Sequence, residues 1–274
     1  MIAPSRTAKQ IAAAIFAAAA VLSAPLSAQA APAGPPVKLE VGFSPDKPGA
    51  QTTVSLGFTV IAPPHTLPPA MTRVEIDLPA GMGIGTTNLG ESTCTAIVVK
   101  VFGPRGCPST SFMGLGNAIA EAQLGPEILQ EHSQVAILMA PAVGEHTTVL
   151  YVAEGSSPLA AEATFEGELL AAGPPYGASV VTSVPAVPAV PEGPDIALVH
   201  MRNTLGPSGL TYFRTVKGER IRYRPRGMVI PAICPANGYP FAARFTFLES
   251  ETVAESRVPC QHTKRHKSKR SRRT

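Results

Sequence analysis

The 274-residue sequence contains no tryptophan, and aromatic residues make up only 5% of it. Since large aromatic rings supply stacking surfaces, this scarcity weakens the case for a sugar-stacking site, although tyrosine can substitute. The motifs H-E-x-x-H and G-x-S-x-G and the glycine-rich phosphate loops are also absent, which removes the usual signatures of zinc proteases, serine hydrolases and nucleotide-binding enzymes. No cysteine pair has zinc-finger or C-x-x-C spacing. We therefore expect no metal and no cofactor.

The first thirty residues have the three parts of a secretory signal. Arg6 and Lys9 supply positive charge, residues 11–22 form an uncharged alanine-rich run, and an A-Q-A cleavage site ends at Ala30. A retained membrane anchor is the alternative, but that run is shorter than the roughly 20 apolar residues a spanning helix needs. We expect residues 1–30 to be removed, leaving no transmembrane segment and a secreted or cell-surface, extracytoplasmic protein.

The chain has four cysteines, Cys94, Cys107, Cys234 and Cys260. In an exported protein they are read first as two disulfides. Three connectivities are possible, and pairing of nearest neighbours is favoured. Each closed loop would then stabilise the fold by roughly 3 kcal/mol.

Proline and glycine, with 29 and 24 residues, indicate many turns. Between the turns, apolar and polar residues alternate with the period of half-buried strands. The predicted strands cover residues 37–43, 54–60, 74–78, 135–139, 148–153, 163–170, 179–184, 196–201 and 241–248. Residues 127–132 fit a short helix or a strand equally well. This pattern predicts an all-β protein, an immunoglobulin-like antiparallel β-sandwich with two sandwich units.

The expected organisation follows composition. A mobile Pro/Gly/Ala leader occupies residues 31–36, and a first β-sandwich domain with the Cys94–Cys107 loop occupies residues 37–125. A second β-rich domain with Cys234–Cys260 occupies residues 126–260, and a disordered basic tail occupies residues 261–274. The V-P-A repeat at residues 184–194 predicts a stiff connector, either a domain linker or a long surface connection.

A local pattern predicts a candidate anion-binding site. Lys217-Gly218 can close a two-residue hairpin that pairs Phe213 with Arg222. Arg220, Arg222 and Arg224 would then stand in a row on one face, as in a strip that binds phosphate, sulfate or acidic polysaccharide. The alternative is a solvated strand face whose charges block edge-to-edge aggregation.

The tail contains seven basic residues and no acid. They are Lys264, Arg265, Lys267, Lys269, Arg270, Arg272 and Arg273. We expect them to attract anionic envelope polymers or lipid head groups. No aromatic residues are interleaved for base stacking, so no specific nucleic acid partner is expected. A tail that only improves solubility is the alternative.

Paired carboxylates are the remaining candidates for catalytic residues. Glu75 with Asp77 and Glu166 with Glu168 each alternate onto one face of a predicted strand, where solvation is the ordinary explanation. A glycosidase needs two carboxyl groups at a defined separation, and sequence spacing does not measure it. A secreted polysaccharide hydrolase therefore stays a rival interpretation.

Three short motifs support a family resemblance. They are L-P-A-G-M at residues 78–82, G-C-P-S at residues 106–109, and C-P at 234–235 leading to P-F-A-A-R-F at 240–245. With these motifs the chain resembles uncharacterised exported proteins of actinobacterial type that have immunoglobulin-like sandwiches and basic tails. The resemblance implies fold and location and no activity. The leading hypothesis is an exported, non-enzymatic β-sandwich module that binds or packs against envelope components and is retained by its tail.

Overall fold

The computed structural model describes residues 32–83, 88–156, 160, 162–185 and 196–260. Their strands are β1 Val37–Ser44, β2 Gln51–Val60, β3 Met71–Pro79, β4 Phe112–Leu124, β5 Glu127–Val143, β6 His146–Gly155, β7 Glu162–Ala171, β8 Tyr176–Ser183, β9 Ile196–Leu205, β10 Tyr212–Val216, β11 Glu219–Tyr223, β12 Met228–Val229, β13 Tyr239–Phe247 and β14 Glu251–Val258. One α-helix, α1 Ala96–Phe102, and two short 3₁₀ turns, Pro104–Gly106 and Ser109–Ser111, interrupt them. In these ranges no helix has the length and apolar character of a membrane span. The all-β class is confirmed.

Nearly all strands belong to one antiparallel sheet. Its order is β1-β2-β9-β4-β5-β6-β7-β8-β3-β13-β14, with β12 paired to the start of β2, and β10 and β11 form a separate hairpin. One continuous path differs in connectivity from an immunoglobulin sandwich, which has two separately paired sheets. The described residues cluster as one compact unit. The boundary predicted near Gly125 instead falls in the turn between β4 and β5, the longest paired strands of the sheet, so the described residues do not divide there.

The sheet curls so that its two end regions pack face to face as a sandwich. Phe58 on β2 contacts Phe245 on β13, with ring centroids 5.0 Å apart. Phe43 on β1 packs against Tyr239 and Phe241 at 5.7 and 5.9 Å. Alternation explains this core, because every second residue of a strand points to the same side. The predicted inward face of β13 is confirmed: Phe241, Ala243, Phe245 and Phe247 are all buried.

A second, smaller core lies on the outer side of β5 and β6. Leu138 and Leu150 project there and pack with Val99 of α1 and with the disulfide Cys94–Cys107. The helix begins at Thr95, whose side chain caps the N–H of Val98. Because α1 covers the middle of β5 from outside while the main core covers it from inside, residues 135–138 are buried on both faces.

Both favoured disulfides are present. Cys94 is bonded to Cys107 and Cys234 to Cys260, so nearest-neighbour pairing is confirmed among the three possible connectivities. The second bond joins the segment before β13 to the segment after β14. The first disulfide closes a loop that lies outside the sheet, whereas the second lies beside the Tyr239–Val258 pair at the end of the β13–β14 hairpin.

One ambiguous segment is resolved as a strand, and one local expectation was wrong. Residues 127–132 belong to β5, because their backbone groups pair with β4 across the turn at Gly125. Residues 32–36, predicted as a mobile leader, are held against the start of β14. Gly34 donates to the Glu251 carbonyl at 2.9 Å, and Glu251 donates to the Pro32 carbonyl at 3.1 Å.

Three predicted segments lie wholly or largely outside the described residues. They are the secretory signal at residues 1–30, the V-P-A connector from residue 186 to its end at residue 194, and the basic tail at residues 261–274. Their assignments stay predictions.

Candidate anion-binding hairpin

Strands β10 and β11 form a two-stranded ribbon closed by Lys217 and Gly218. These two residues have φ values of +52° and +86°. Positive φ at both central positions matches the twist that two-residue hairpins require. The register confirms the prediction, pairing Val216 with Glu219, Arg214 with Ile221 and Phe213 with Arg222.

One face of the ribbon carries the predicted arginine row. Arg220 and Arg222 project from β11 opposite Thr215 and Phe213, and Arg224 follows directly after the strand; all three arginines are exposed. Alternate residues of a strand lie about 6.6 Å apart. The Arg220 guanidinium carbon lies 3.9 Å from the centroid of the Phe213 ring, within the range of a cation–π interaction. Phe213 therefore restrains the orientation of one guanidinium.

The opposite face attaches the ribbon to the body of the protein. Tyr212 and Tyr223 pack edge to face with centroids 5.6 Å apart. Arg214 lies over the Tyr223 ring at 5.3 Å. Farther toward the turn, Val216 and Ile221 are about 40% exposed, so the tip of the ribbon projects into solvent.

Hydrogen bonds hold the base of the ribbon. The Tyr212 hydroxyl donates to the Phe112 carbonyl and accepts from the Gly90 N–H at 3.1 Å. The Tyr223 hydroxyl donates to Glu91 Oε2 at 2.7 Å. Burial, followed by the hydrogen bond to Glu91, raises the pKa of Tyr223 to about 12. Both tyrosines are therefore neutral donors at physiological pH, and the exposed arginines are mounted on a fixed base.

The ribbon concentrates unpaired positive charge. Between Tyr212 and Gly227 the chain has six basic residues and a single acid, Glu219. The basic residues are Arg214, Lys217, Arg220, Arg222, Arg224 and Arg226. Ion pairs on the described surface involve Lys38, Arg73 and Arg244, and none of the ribbon's cations has a carboxylate partner among the described residues. Their charge is available to an external anion.

The arrangement suits a linear polyanion better than one small ion. A single phosphate is bound best by guanidinium groups that converge on it, whereas these arginines stand in a line on an open face. A polymer lying along the ribbon would meet them in turn. The same charges also guard the unpaired edges of a free two-stranded ribbon against aggregation, and the two roles are compatible.

The carboxylates considered for hydrolysis are engaged separately. Glu75 Oε2 lies 3.4 Å from the Arg73 guanidinium, and Asp77 accepts a hydrogen bond from Ser179. Glu166 is exposed and Glu168 partly exposed on β7. Within the described ranges, no cluster of three or more His, Cys, Asp or Glu side chains is placed to hold a metal ion.

One interior feature was missed at the sequence level. Asn203 on β9 is buried between the apolar residues Met201 and Leu205 on the same strand face, and it lines a cavity. A lone amide within an apolar alternation was the signal available in the sequence.

No family model, curated protein or solved structure matches the chain.

Proposed function

We propose that this protein is an exported, non-enzymatic β-sandwich module that binds anionic polymer of the cell envelope through the ribbon β10–β11. The observation that carries the proposal is the ribbon's composition and setting: six basic residues, one acid, and no ion pair to any described residue. Arginine is the side chain best adapted to phosphate and carboxylate groups, because its donors form a rigid fork.

Other features support the location. Two disulfides are typical of oxidising compartments outside the cytoplasm. The predicted signal at residues 1–30 would direct the chain there. The tail at residues 261–274 adds seven basic residues, each contributing about 1 kcal/mol near an anionic surface. The ribbon would supply an oriented contact, and the tail would supply attraction without orientation.

A binding experiment with long-chain inorganic polyphosphate tests the role of the ribbon. The variant Arg220→Ser, Arg222→Ser, Arg224→Ser is compared with the parent protein, in the full chain and in a chain ending at Cys260. We expect weaker binding in both backgrounds. The slope of log K against log salt should fall by about two to three, as expected when that many counterions are no longer released.

A matched control separates the ribbon from net charge. The variant Lys47→Ser, Arg202→Ser, Arg257→Ser removes the same charge from three exposed residues that have no ion pair among the described residues. It should lose much less affinity than the ribbon variant. Equal losses would show that only net charge matters, and unchanged binding of the ribbon variant in the tail-free chain would refute the site.

The tail is tested on cells. Cells expressing the chain ending at Cys260 are fractionated, and the protein in the medium is compared with that on the cell surface. A shift toward the medium is expected on removal of the tail, and a larger shift when the ribbon variant is added. Unaltered cell association after truncation would contradict retention by the tail.

A further inference from the structure

Helix α1 carries an apolar patch on its outer side. Its members Ile97, Val101 and Phe102 are 76%, 63% and 69% exposed. Ile97 and Val101 lie one turn apart and therefore on the same side of the helix, and Phe102 ends it. Among the described residues, the other large apolar side chains with such exposure are Ile233 and Leu248, which lie in other segments. Clustered exposed apolar residues mark contacts with another protein or with a membrane.

The apolar patch is mounted rigidly. Val99, on the opposite side of the helix, is completely buried in the smaller core. The Gly103 N–H donates to the Val99 carbonyl at 2.7 Å and closes the last turn. The disulfide between Cys94 and Cys107 joins the segments on either side of the helix. The exposure of the patch is therefore a property of the folded protein and not of a fraying end.

The segment around the patch is positively charged. Between Glu91 and Glu121 the chain has no acid and two basic residues, Lys100 and Arg105. Both are exposed, and neither has a carboxylate partner among the described residues. One acid from another strand, Glu154 on β6, approaches the end of the helix at Gly103, which leaves the balance positive. The long stem of a lysine can lie along apolar surface while its ammonium group reaches outward.

The basic ribbon is attached beside the same segment. The Phe213 N–H donates to Ser109 Oγ at 3.1 Å, and Ser109 lies two residues after Cys107. The ribbon therefore adds positive charge to the neighbouring surface. Apolar side chains that project beside basic residues are typical of elements that bind an anionic lipid surface.

A second copy of the chain fits the patch less well than a bilayer does. A stable protein–protein interface uses roughly 20–30 residues on each side, whereas this patch has three large apolar side chains. Two patches placed against each other in a symmetric dimer would also bring the Lys100 ammonium groups of both copies together. A bilayer requires no matching surface, because its apolar region accepts any apolar side chain that reaches it.

We propose that α1 is a membrane-docking element that inserts Ile97, Val101 and Phe102 into the boundary region of an anionic lipid bilayer. Lys100 and Arg105 then lie at the level of the lipid phosphate groups. Apolar faces of surface-bound helices enter this boundary by about 5–10 Å. The proposal does not rest on polyanion binding by the ribbon, because the inserted side chains contact acyl chains and not head groups.

The lack of tryptophan in the sequence allows a specific reporter of insertion. Phe102→Trp introduces the sole tryptophan of the full chain. Leu248→Trp is the matched control, since Leu248 is 70% exposed and lies between β13 and β14. Each variant is mixed with vesicles of about three parts phosphatidylglycerol to seven parts phosphatidylcholine, with and without bromine on the acyl chains. We expect a blue shift and quenching by bromine for Phe102→Trp, and neither for Leu248→Trp.

The other outcomes of this measurement would overturn the proposal. Sedimentation with the vesicles without quenching in Phe102→Trp would show that attraction to the head groups alone holds the protein. Equal quenching in the two variants would show contact without a preferred element. Failure to bind the vesicles at all would likewise contradict docking by α1.

A loss-of-contact variant measures the contribution of the patch. Ile97→Ser with Phe102→Ser should keep the helix, because serine has nearly the helix propensity of isoleucine and phenylalanine. Its partitioning onto the same vesicles should fall at least about tenfold, the factor that corresponds to burial of one such side chain. Ile233→Ser with Leu248→Ser removes two side chains of similar exposure elsewhere and should partition like the unaltered protein. Equal losses in the two variants would contradict the proposal.

Two further measurements separate α1 from the ribbon and from self-association. The ribbon variant Arg220→Ser, Arg222→Ser, Arg224→Ser, combined with Phe102→Trp, should bind the vesicles more weakly, yet the bound protein should be quenched as before. Loss of quenching in the bound protein would overturn insertion by α1 as an independent element. Light scattering should show the same molar mass with and without the change Ile97→Ser, Phe102→Ser. A dimer that this variant dissociates would assign the patch to self-association and overturn the proposal.

Discussion

The guanidinium of Arg220 lies 3.9 Å from the ring centroid of Phe213, across the two strands of the exposed ribbon. This contact predicts a measurable coupling between the two side chains. In a double-mutant cycle with Phe213→Leu and Arg220→Met, we expect a coupling of about 0.5–1 kcal/mol in the free energy of unfolding, typical of exposed cation–π pairs. Urea unfolding of the four proteins measures it. The pair Phe213 and Arg224 serves as the control, and coupling of the same size there would argue against a specific contact.

The disulfide Cys94–Cys107 should stabilise the second, smaller core, in which α1 packs on the outer side of β5 and β6. Replacing both cysteines with alanine should lower the free energy of unfolding by about 3 kcal/mol, because the unfolded chain loses a closed loop. Some packing around Leu138 and Leu150 would also be lost. Hydrogen exchange should increase first in α1. Unchanged stability and unchanged exchange in the helix would contradict this role.

Gly116 should not tolerate a side chain. The substitution Gly116→Ala places a Cβ against Asn203 Oδ1 and 2.5 Å from the Arg202 carbonyl oxygen. We expect a loss of about 1–3 kcal/mol in the free energy of unfolding, the usual cost of overpacking. Gly83→Ala is the matched control, since nothing lies within 4 Å of its added Cβ. Similar denaturation midpoints for the two variants would show that β4 and β9 separate easily.

Tyrosine ionisation should destabilise the fold in alkali. The folded-state pKa of Tyr151 is raised by burial from 10.0 to about 12. The unfolded chain releases this proton first, so the contribution to stability is complete below pH 10 and is lost between pH 10 and pH 12. The slope from one such group is at most about 1.4 kcal/mol per pH unit. Urea unfolding at several pH values should show a shallower decline for Tyr151→Phe, and parallel curves would contradict the assignment.

Locally encoded features were predicted well. The ribbon was predicted with its register because the turn at Lys217-Gly218 and the alternation around it lie within a dozen residues. The strand positions followed from alternation in the same way. Strand β4 received no predicted bounds, because its inward positions include Gly114, Gly116 and Ala118, which are too small to give an apolar pattern. Residues 127–132 were ambiguous because their own sequence fits a helix or a strand, and only pairing with β4 makes them extended.

The candidate binding features also divide into those that local sequence predicts and those that only the fold decides. Charge along the ribbon is a property of composition, so Arg220, Arg222 and Arg224 could be singled out before the fold was known. The lack of carboxylate partners for these arginines could not be predicted from composition, because the acids that might have neutralised them come from distant segments. The burial of Asn203 against Gly116 depends on β4, which lies more than eighty residues earlier in the chain.

The sequence by itself determined the all-β class, the favoured pairing of the cysteines, the ribbon with its arginine row, and the concentration of charge in that ribbon. Each depends on neighbours within a few tens of residues, where periodicity, turn chemistry and loop length act directly. Tertiary structure alone decided that one sheet curls over itself, that Gly125 lies in a hairpin turn, that α1 buries the outer face of β5, and that a cavity remains beside Asn203. Those outcomes depend on which distant strands pair, and the energy of that pairing comes from surfaces that meet only in the folded chain.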